Sequence, residues 1–340
     1  MKRRIGLSYD DVLLRPQYSD IESRSDIDIS GHLSEHFSLP LPIIASPMDT
    51  IAETAMANAM TDAGASAVIH RYNTIDVQVA HVRRLFEPSI IGAAIGVSGD
   101  YIERAQALRD AEIGYLCIDV AHGHHIMMRR ALEEVRKIVG EDFHIMAGNV
   151  ATLEGINDLS DWGADSIRCN IGGGSICSTR IQTGHGVPGL QTIIDCAQTD
   201  RDVKIIADGG IKNSGDIVKA LAAGADAVMV GSLLSGTDET PGEIFRDSTG
   251  ECWKTYRGMA SKEAQVDWRG KYSSYEGITS RVPARGPVEL FLQDLDKGIR
   301  SGFSYSGARN LTELQIKSEF IVQTSAGQSE SGTHIRTRNF

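Results

Sequence analysis

The chain has 340 residues, 41% of them hydrophobic, and 34 Lys and Arg stand against 45 Asp and Glu for a formal net charge of −11 at pH 7. Such a composition can bury a substantial core, argues against a nucleic-acid binder, which would carry a basic patch, and holds no apolar run near the roughly 18–20 residues of a membrane span. The charged start MKRRIGLSYDD leads into no apolar stretch, so no secretory signal is expected, and the five cysteines (117, 169, 177, 196 and 252) contain no CxxC pair. The expectation is a cytoplasmic protein with reduced thiols and neither a nucleic-acid nor a membrane partner.

In chain order, short apolar runs recur, each followed by a stretch of helical pattern: PIIAS, SAVIH, IIGAAIG, YLCIDV, HIMAGN, SIRCN, KIIADG and AVMVG. Their C-terminal ends fall near Ser46, His70, Gly96, Asp119, Gly148, Asn170, Asp208 and Gly231. Most steps are about one βα unit; the sixth, from Asn170 to Asp208, is much longer. Eight parallel strands with crossover helices make a closed (β/α)8 TIM barrel, with an open doubly wound sheet as the alternative. Gly64, Gly163 and Gly224 stand where a left-handed residue closes a helix, and Thr152 and Ser214 where N-caps are expected. Residues 1–340 therefore read as one barrel domain, a size that undivided barrels reach.

Two connections are longer than a barrel requires. One contains IGGGSICSTR. The other, residues 235–286, separates strand eight from its helix, PVELFLQDLDKGIRSG, and reads as a flap inserted within the barrel. Part of it could equally serve oligomer contacts. Active sites of such barrels lie at the C-terminal face, where long loops carry function. Strand seven ends in Asp208-Gly209-Gly210 and strand eight in Gly231-Ser232, and glycines at these two ends let backbone N–H groups approach a phosphate. On this pattern the ligand is FMN, a sugar phosphate or a nucleotide. Cys177, following Gly172-Gly173-Gly174, is placed as a thiolate nucleophile for an electron-poor ring carbon. The other four cysteines read as small buried hydrophobes.

The segments YDDVLLRP (9–16), SPMDT (46–50), IDVAHGH (118–124), AGNVAT (147–152), GGGSICSTRIQTGHGVP (172–188), ADGGIKNSGDIVKALAAGADAVMVGS (207–232), YRGMAS (256–261) and SEFIVQTSAG (318–327) resemble the IMP dehydrogenase / GMP reductase family over nearly the whole chain. The resemblance implies a purine nucleoside monophosphate (GMP or IMP) as ligand, a nicotinamide cofactor, a covalent adduct of cysteine on purine C2, and a homotetramer. It makes Cys177 the nucleophile and Thr179 the hydroxyl that relays protons beside it. Ser46, Asp208, Gly210, Gly231, Ser232, Tyr256, Gly258 and Met259 match nucleotide-binding positions, Asp208 at the ribose and Gly210, Gly231 and Ser232 at the phosphate. Asp119 and Asn149 fall at the nicotinamide. A monovalent cation such as K+ is implied on the backbone carbonyls of Gly172, Gly174 and Cys177.

Within the family, no CBS insertion separates His70 from Ile90, and the stretch from Met259 to Glu276 resembles the shorter reductase flap, with Tyr272 preceding Glu276-Gly277 and no Arg-Tyr pair. The resemblance then makes Glu276 the partner of Thr179, and puts Arg71, in VIHRYN, near the amino group of the substrate. YRGM and the tail SEFIVQTSAGQSESGTHI are more similar to the dehydrogenase, and Asn170 and Gly173 replace the usual glycine and proline of the cysteine loop. The expected activity is NADPH-dependent reductive deamination of GMP to IMP and ammonia. The alternatives are NAD-dependent oxidation of IMP to XMP, an FMN-dependent barrel oxidoreductase, and a non-catalytic purine-nucleotide sensor. No GxGxxG fingerprint is present, so the choice of NADPH comes from the resemblance alone.

Overall fold

Eight short strands, numbered here β1 (Ile43–Ala45), β2 (Ser66–Ile69), β3 (Gly92–Ile95), β4 (Tyr115–Asp119), β5 (His144–Val150), β6 (Ser166–Cys169), β7 (Lys204–Asp208) and β8 (Ala227–Val230), pair in parallel and in chain order. β8 returns to β1 through Val228↔Ile43 and Met229↔Ile44, which closes the barrel. The chain is thus a (β/α)8 barrel, seen in a computed structural model that describes residues 4–34, 37–273 and 275–332. The first three residues of the charged start and the end of the tail motif, 333–335, lie outside the described residues.

The strands are apolar on both faces because each face is covered, by helices outside and by packed side chains inside. Period-two alternation sorts the residues. In β4, Leu116 and Ile118 pack in the core shared with the helices, while Tyr115 and Cys117 pack in a second core inside the barrel. That inner core is capped at the N-terminal end by a hairpin of strands Gly31–Ser34 and Phe37–Leu39, whose Leu33 and Leu39 are fully buried. Strand Val12–Leu14 pairs with Phe320–Val322, bringing the two ends of the chain together.

The helix boundaries have local causes. Thr152 caps helix Leu153–Asp161 by accepting from the Gly155 N–H at 3.0 Å. Helix Ser214–Ala222 is capped one residue earlier than expected: Asn213 Oδ1 accepts from the Asp216 N–H at 2.9 Å, and Ser214 is the first helical residue. Asn213 is extended at φ −159°, the non-helical conformation from which an amide oxygen reaches the third helical N–H. Gly64, Gly163 and Gly224 have φ of 73°, 104° and 114°, where a side chain would be strained.

The long connection after β8 forms a three-stranded antiparallel sheet (Phe245–Arg246, Cys252–Arg257, Thr279–Pro283) and helix Lys262–Arg269, before helix Val288–Tyr305 resumes the barrel pattern. No helix among the described residues is long and apolar enough to cross a membrane.

Candidate active site

Strand ends, the cysteine loop and the β8 connection enclose one cavity of about 270 Å³ at the C-terminal mouth. All sixteen residues proposed from sequence line it: Ser46, Arg71, Asp119, Asn149, Gly172, Gly174, Cys177, Thr179, Asp208, Gly210, Gly231, Ser232, Tyr256, Gly258, Met259 and Glu276. Tyr272 does not; its ring meets Tyr275 edge-on, with the Lys262 ammonium 4.7 Å from its centroid.

Cys177, Thr179 and Glu276 form one hydrogen-bonded chain. The Cys177 thiol donates to Thr179 Oγ1 at 3.1 Å, and the Thr179 hydroxyl donates to Glu276 Oε2 at 2.7 Å. Backbone pairing brings Glu276 to residues far from it in sequence. The Ser178 N–H donates to Glu276 O at 2.9 Å, the Ile278 N–H to Ile176 O at 3.1 Å, and the Glu276 N–H to Ala260 O at 3.0 Å. The flap thus delivers the carboxylate by strand-like contacts rather than by a free loop. A thiol beside a hydroxyl and a carboxylate can lose its proton along the chain and become a nucleophile. The other barrel thiols sit differently: burial pushes Cys117 up to about 12, and Cys169 is raised by its hydrogen bond with Cys196 and by burial, so both stay protonated at neutral pH.

The sequence reading missed Arg168. Its guanidinium lies under the cavity, donating to Asp119 Oδ1 and to Asp208 Oδ2 at 2.8 Å (Nη2) and 3.1 Å (Nε). Burial pulls its pKa down, but Asp208 and Asp119 more than reverse this and hold it well above the ordinary arginine value. Such a charge is tolerated only because it is paired on both sides. Asn149 Nδ2 also donates to Asp208 Oδ2, at 2.7 Å, so Oδ1 takes no bond among the described residues and is open to a ligand. The available clue was a charged residue inside a strand run, SIRCN, where buried arginine is rare unless paired. Arg71 backs the same wall: Nη2 donates to the Asp119 carbonyl at 3.2 Å, and Nε stands 3.8 Å from its carboxylate.

At the opposite wall, Gly209 and Gly210 have φ of 83° and 76°. A Cβ at Gly231 would stand 2.9 Å from Met48 Sδ and 3.1 Å from Tyr256 Oη, so only glycine brings the backbone this close to the cavity. Burial raises the Tyr256 hydroxyl above its ordinary value, against the pull of Ser175 and Ser232, leaving it a neutral donor. The two departures in the cysteine loop lie against each other. Asn170, buried and donating to Gly209 O at 3.3 Å, fills the space beside residue 173, where any Cβ would collide with its amide. A side chain at 173 would therefore have to displace the Asn170 amide, which glycine avoids.

The model of the IMP dehydrogenase / GMP reductase domain matches residues 6–334. An inosine-5′-monophosphate dehydrogenase of Nitrosopumilus maritimus is 32% identical, covering 98% of this chain and 99% of its own. Among solved structures, a GMP reductase variant of Trypanosoma brucei in complex with guanosine 5′-monophosphate superposes with a TM-score of 0.93 at 28% identity, covering 98% of both chains. Inosine 5′-monophosphate dehydrogenase of Legionella pneumophila superposes with a TM-score of 0.86 at 43% identity, covering 95% of this chain and 100% of its own.

Proposed function

The chain belongs to the IMP dehydrogenase / GMP reductase family, and within it we propose that it is a GMP reductase, converting GMP to IMP and ammonia at the expense of NADPH. The observation that carries this reading is the unbroken chain from the Cys177 thiol through Thr179 to a flap-borne Glu276. A family enzyme of either kind needs the thiolate; an enzyme that expels ammonia also needs a group that returns a proton to the leaving nitrogen.

GMP docks with its phosphate at Gly210, Gly231 and Ser232 and its ribose hydroxyls on Asp208, held rigid by Arg168 and Asn149. Ser46, Tyr256, Gly258 and Met259 complete the nucleotide wall, and Arg71 lies toward the amino group. The Cys177 proton passes through Thr179 to Glu276 as the thiolate adds to C2. Glu276 then returns it through Thr179 to the amino group, which leaves as ammonia. Asp119 and Asn149 would hold the nicotinamide, which when bound supplies the hydride that ends on C2. The C–S bond then breaks, releasing IMP and the thiolate. Covalent catalysis thereby divides the substitution into two easier steps. Residues 235–286 act as a flap that excludes water, whose attack on the adduct would yield XMP. A monovalent cation such as K+ would be held by the carbonyls of Gly172, Gly174 and Cys177, of which Gly174 O accepts the Cys177 N–H at 3.1 Å. We place the enzyme in the cytoplasm as a homotetramer.

The 43% identity to the Legionella dehydrogenase favours a second reading, NAD-dependent oxidation of IMP through the same adduct. One pair of assays separates the two. Loss of NADPH absorbance that requires GMP, with IMP as product, is the expected result. NADH appearing with IMP and NAD+ instead would overturn the reductase.

A further inference from the structure

The turn after β2 carries two side chains that line the mouth cavity, Arg71 and Tyr72. Arg71 Nη2 donates to the Asp119 carbonyl at 3.2 Å, and its guanidinium lies 5.5 Å from the Tyr72 ring centroid. Tyr72 in turn stacks on Trp268 of the flap helix Lys262–Arg269, with centroids 6.1 Å apart and planes at 20°. Barrel wall and flap therefore meet at this turn.

His70 precedes both residues, is only 3% exposed and does not line the cavity. Its two ring nitrogens are used differently. The Tyr72 N–H donates to Nδ1 at 3.2 Å, so Nδ1 carries no proton. The ring proton is on Nε2, which donates to Glu53 Oε1 at 3.1 Å. Glu53 stands at the N-cap of helix Thr54–Asp62 but makes no capping bond. An N-cap side chain ordinarily accepts from the first N–H groups of its own helix; this one turns to the imidazole. The bond from His70 outweighs burial and holds the Glu53 carboxyl below the ordinary range, which keeps it an acceptor. His81 Nε2 is 3.8 Å from the same oxygen, beyond hydrogen-bond reach, and its Nδ1 faces Thr54 Oγ1 at 3.0 Å. The far end of the turn is fixed separately, by Arg104 donating to Asn73 O at 2.9 Å and to Asp100 Oδ2 at 2.7 Å.

We propose that His70 is a positioning residue: Glu53 holds it as the Nε2–H tautomer, and its free Nδ1 anchors the Tyr72 N–H, which sets Arg71 against the mouth cavity and Tyr72 against the flap helix. Its effect on turnover rests on the proposed reaction, in which Arg71 lies toward the departing amino group and the flap covers the site. Its effect on the Tyr72–Trp268 stack does not.

The test compares His70→Asn with His70→Gln in the full chain. Both lose the ring and its packing, and both should lower the melting temperature alike. They differ in the nitrogen they replace. Asn Oδ1 has the reach of Nδ1 and can accept from Tyr72, whereas the Gln amide has the reach of Nε2 and bonds only Glu53. The Gln variant should lose about 10-fold or more in kcat, with KM for GMP changed less than about 3-fold, and the Asn variant should recover most of that loss. With the other two tryptophans, Trp162 and Trp253, replaced by Phe, the emission of Trp268 should shift in the Gln variant and stay in place in the Asn variant. Glu53→Ala, at a partly exposed side chain, removes only the tautomer lock and should show the Gln pattern to a smaller degree. Equal kcat losses in the two His70 variants, or an unshifted Trp268 emission in both His70→Gln and Glu53→Ala, overturn the proposal. Because the emission is read without substrate, a shift in a protein that does not turn over GMP refutes the reaction and leaves the role of His70 standing.

Discussion

The two ends of the barrel are built from the same eight strands and carry opposite chemistry. At the N-terminal end the inward residues are Tyr115, His144 and Ser166, sealed under a hairpin: Tyr115 bonds Ser66 at 3.0 Å and His144 bonds Ser166 at 2.8 Å. At the C-terminal end, Asp119 lies four residues on from Tyr115 and Arg168 two on from Ser166, and with Asp208 of β7 they are ionic and open to a cavity. Burial rules the first end. His144 is pushed down to about 4 and Asp226, just before β8, up to about 6, each toward its neutral form. Paired charge rules the second, where Arg168 stays ionised despite burial. One end spends its side chains on packing; the other spends them on ion pairs that border a cavity.

The comparison can be broken by substituting each end and reading both stability and turnover. Cys177→Ala should lower kcat at least 10³-fold, to background, with GMP affinity retained in calorimetry; normal turnover would sink the covalent mechanism. Tyr115→Ala should cost about 3–5 kcal/mol of unfolding free energy, as other large-to-small core changes do. The KM for GMP of the folded fraction should not move; a large KM change would mean that the two ends are coupled. Glu276→Gln should reduce kcat by roughly 10²-fold, the scale of a lost proton relay, with GMP affinity unchanged. Removing Glu276 should also alter the pH profile of kcat, which a merely structural role would leave in place.

The smallest effect lies at the sealed end. His144 titrates in the folded protein near 4 against an ordinary 6.5, so its contribution to stability is complete above 6.5 and is lost as pH falls toward 4. Asp226 titrates near 6 against an ordinary 3.8, so its contribution is present below 3.8 and is lost as pH rises through 6. Between those limits the two oppose each other. Asp226→Asn should therefore make the melting temperature fall more steeply than in the unsubstituted protein as pH drops from 6.5 to 4. Equal slopes in the two proteins would show that the pair does not compensate.

Much of this architecture was legible without coordinates. The eight strand ends named from apolar runs lie within two residues of those observed, because a strand buried on both faces is written as a short, nearly continuous apolar stretch. Glycine helix stops were legible for a similarly local reason, a positive φ that other residues avoid. The cap at Asn213 rather than Ser214 was not, since either residue type caps and only the backbone path selects between them. Motif identity also picked out sixteen residues that line the mouth cavity but not Arg168, which lines it too, and motifs say nothing about distance.

Tertiary structure decided the rest. That Glu276 meets Thr179 depends on a strand-like crossing of the flap with the cysteine loop, a contact between segments 97 residues apart. That Arg168 joins Asp119 to Asp208 depends on barrel closure, which turns three separate strands inward onto one axis. That Asn170 occupies the space a side chain at 173 would need depends on how the loop folds over β6 and β7. Local patterns determine elements because hydrophobic periodicity and turn conformation are properties of neighbours along the chain. Hydrogen bonds, ion pairs and steric exclusions belong to neighbours in space, and those exist only once the barrel has closed.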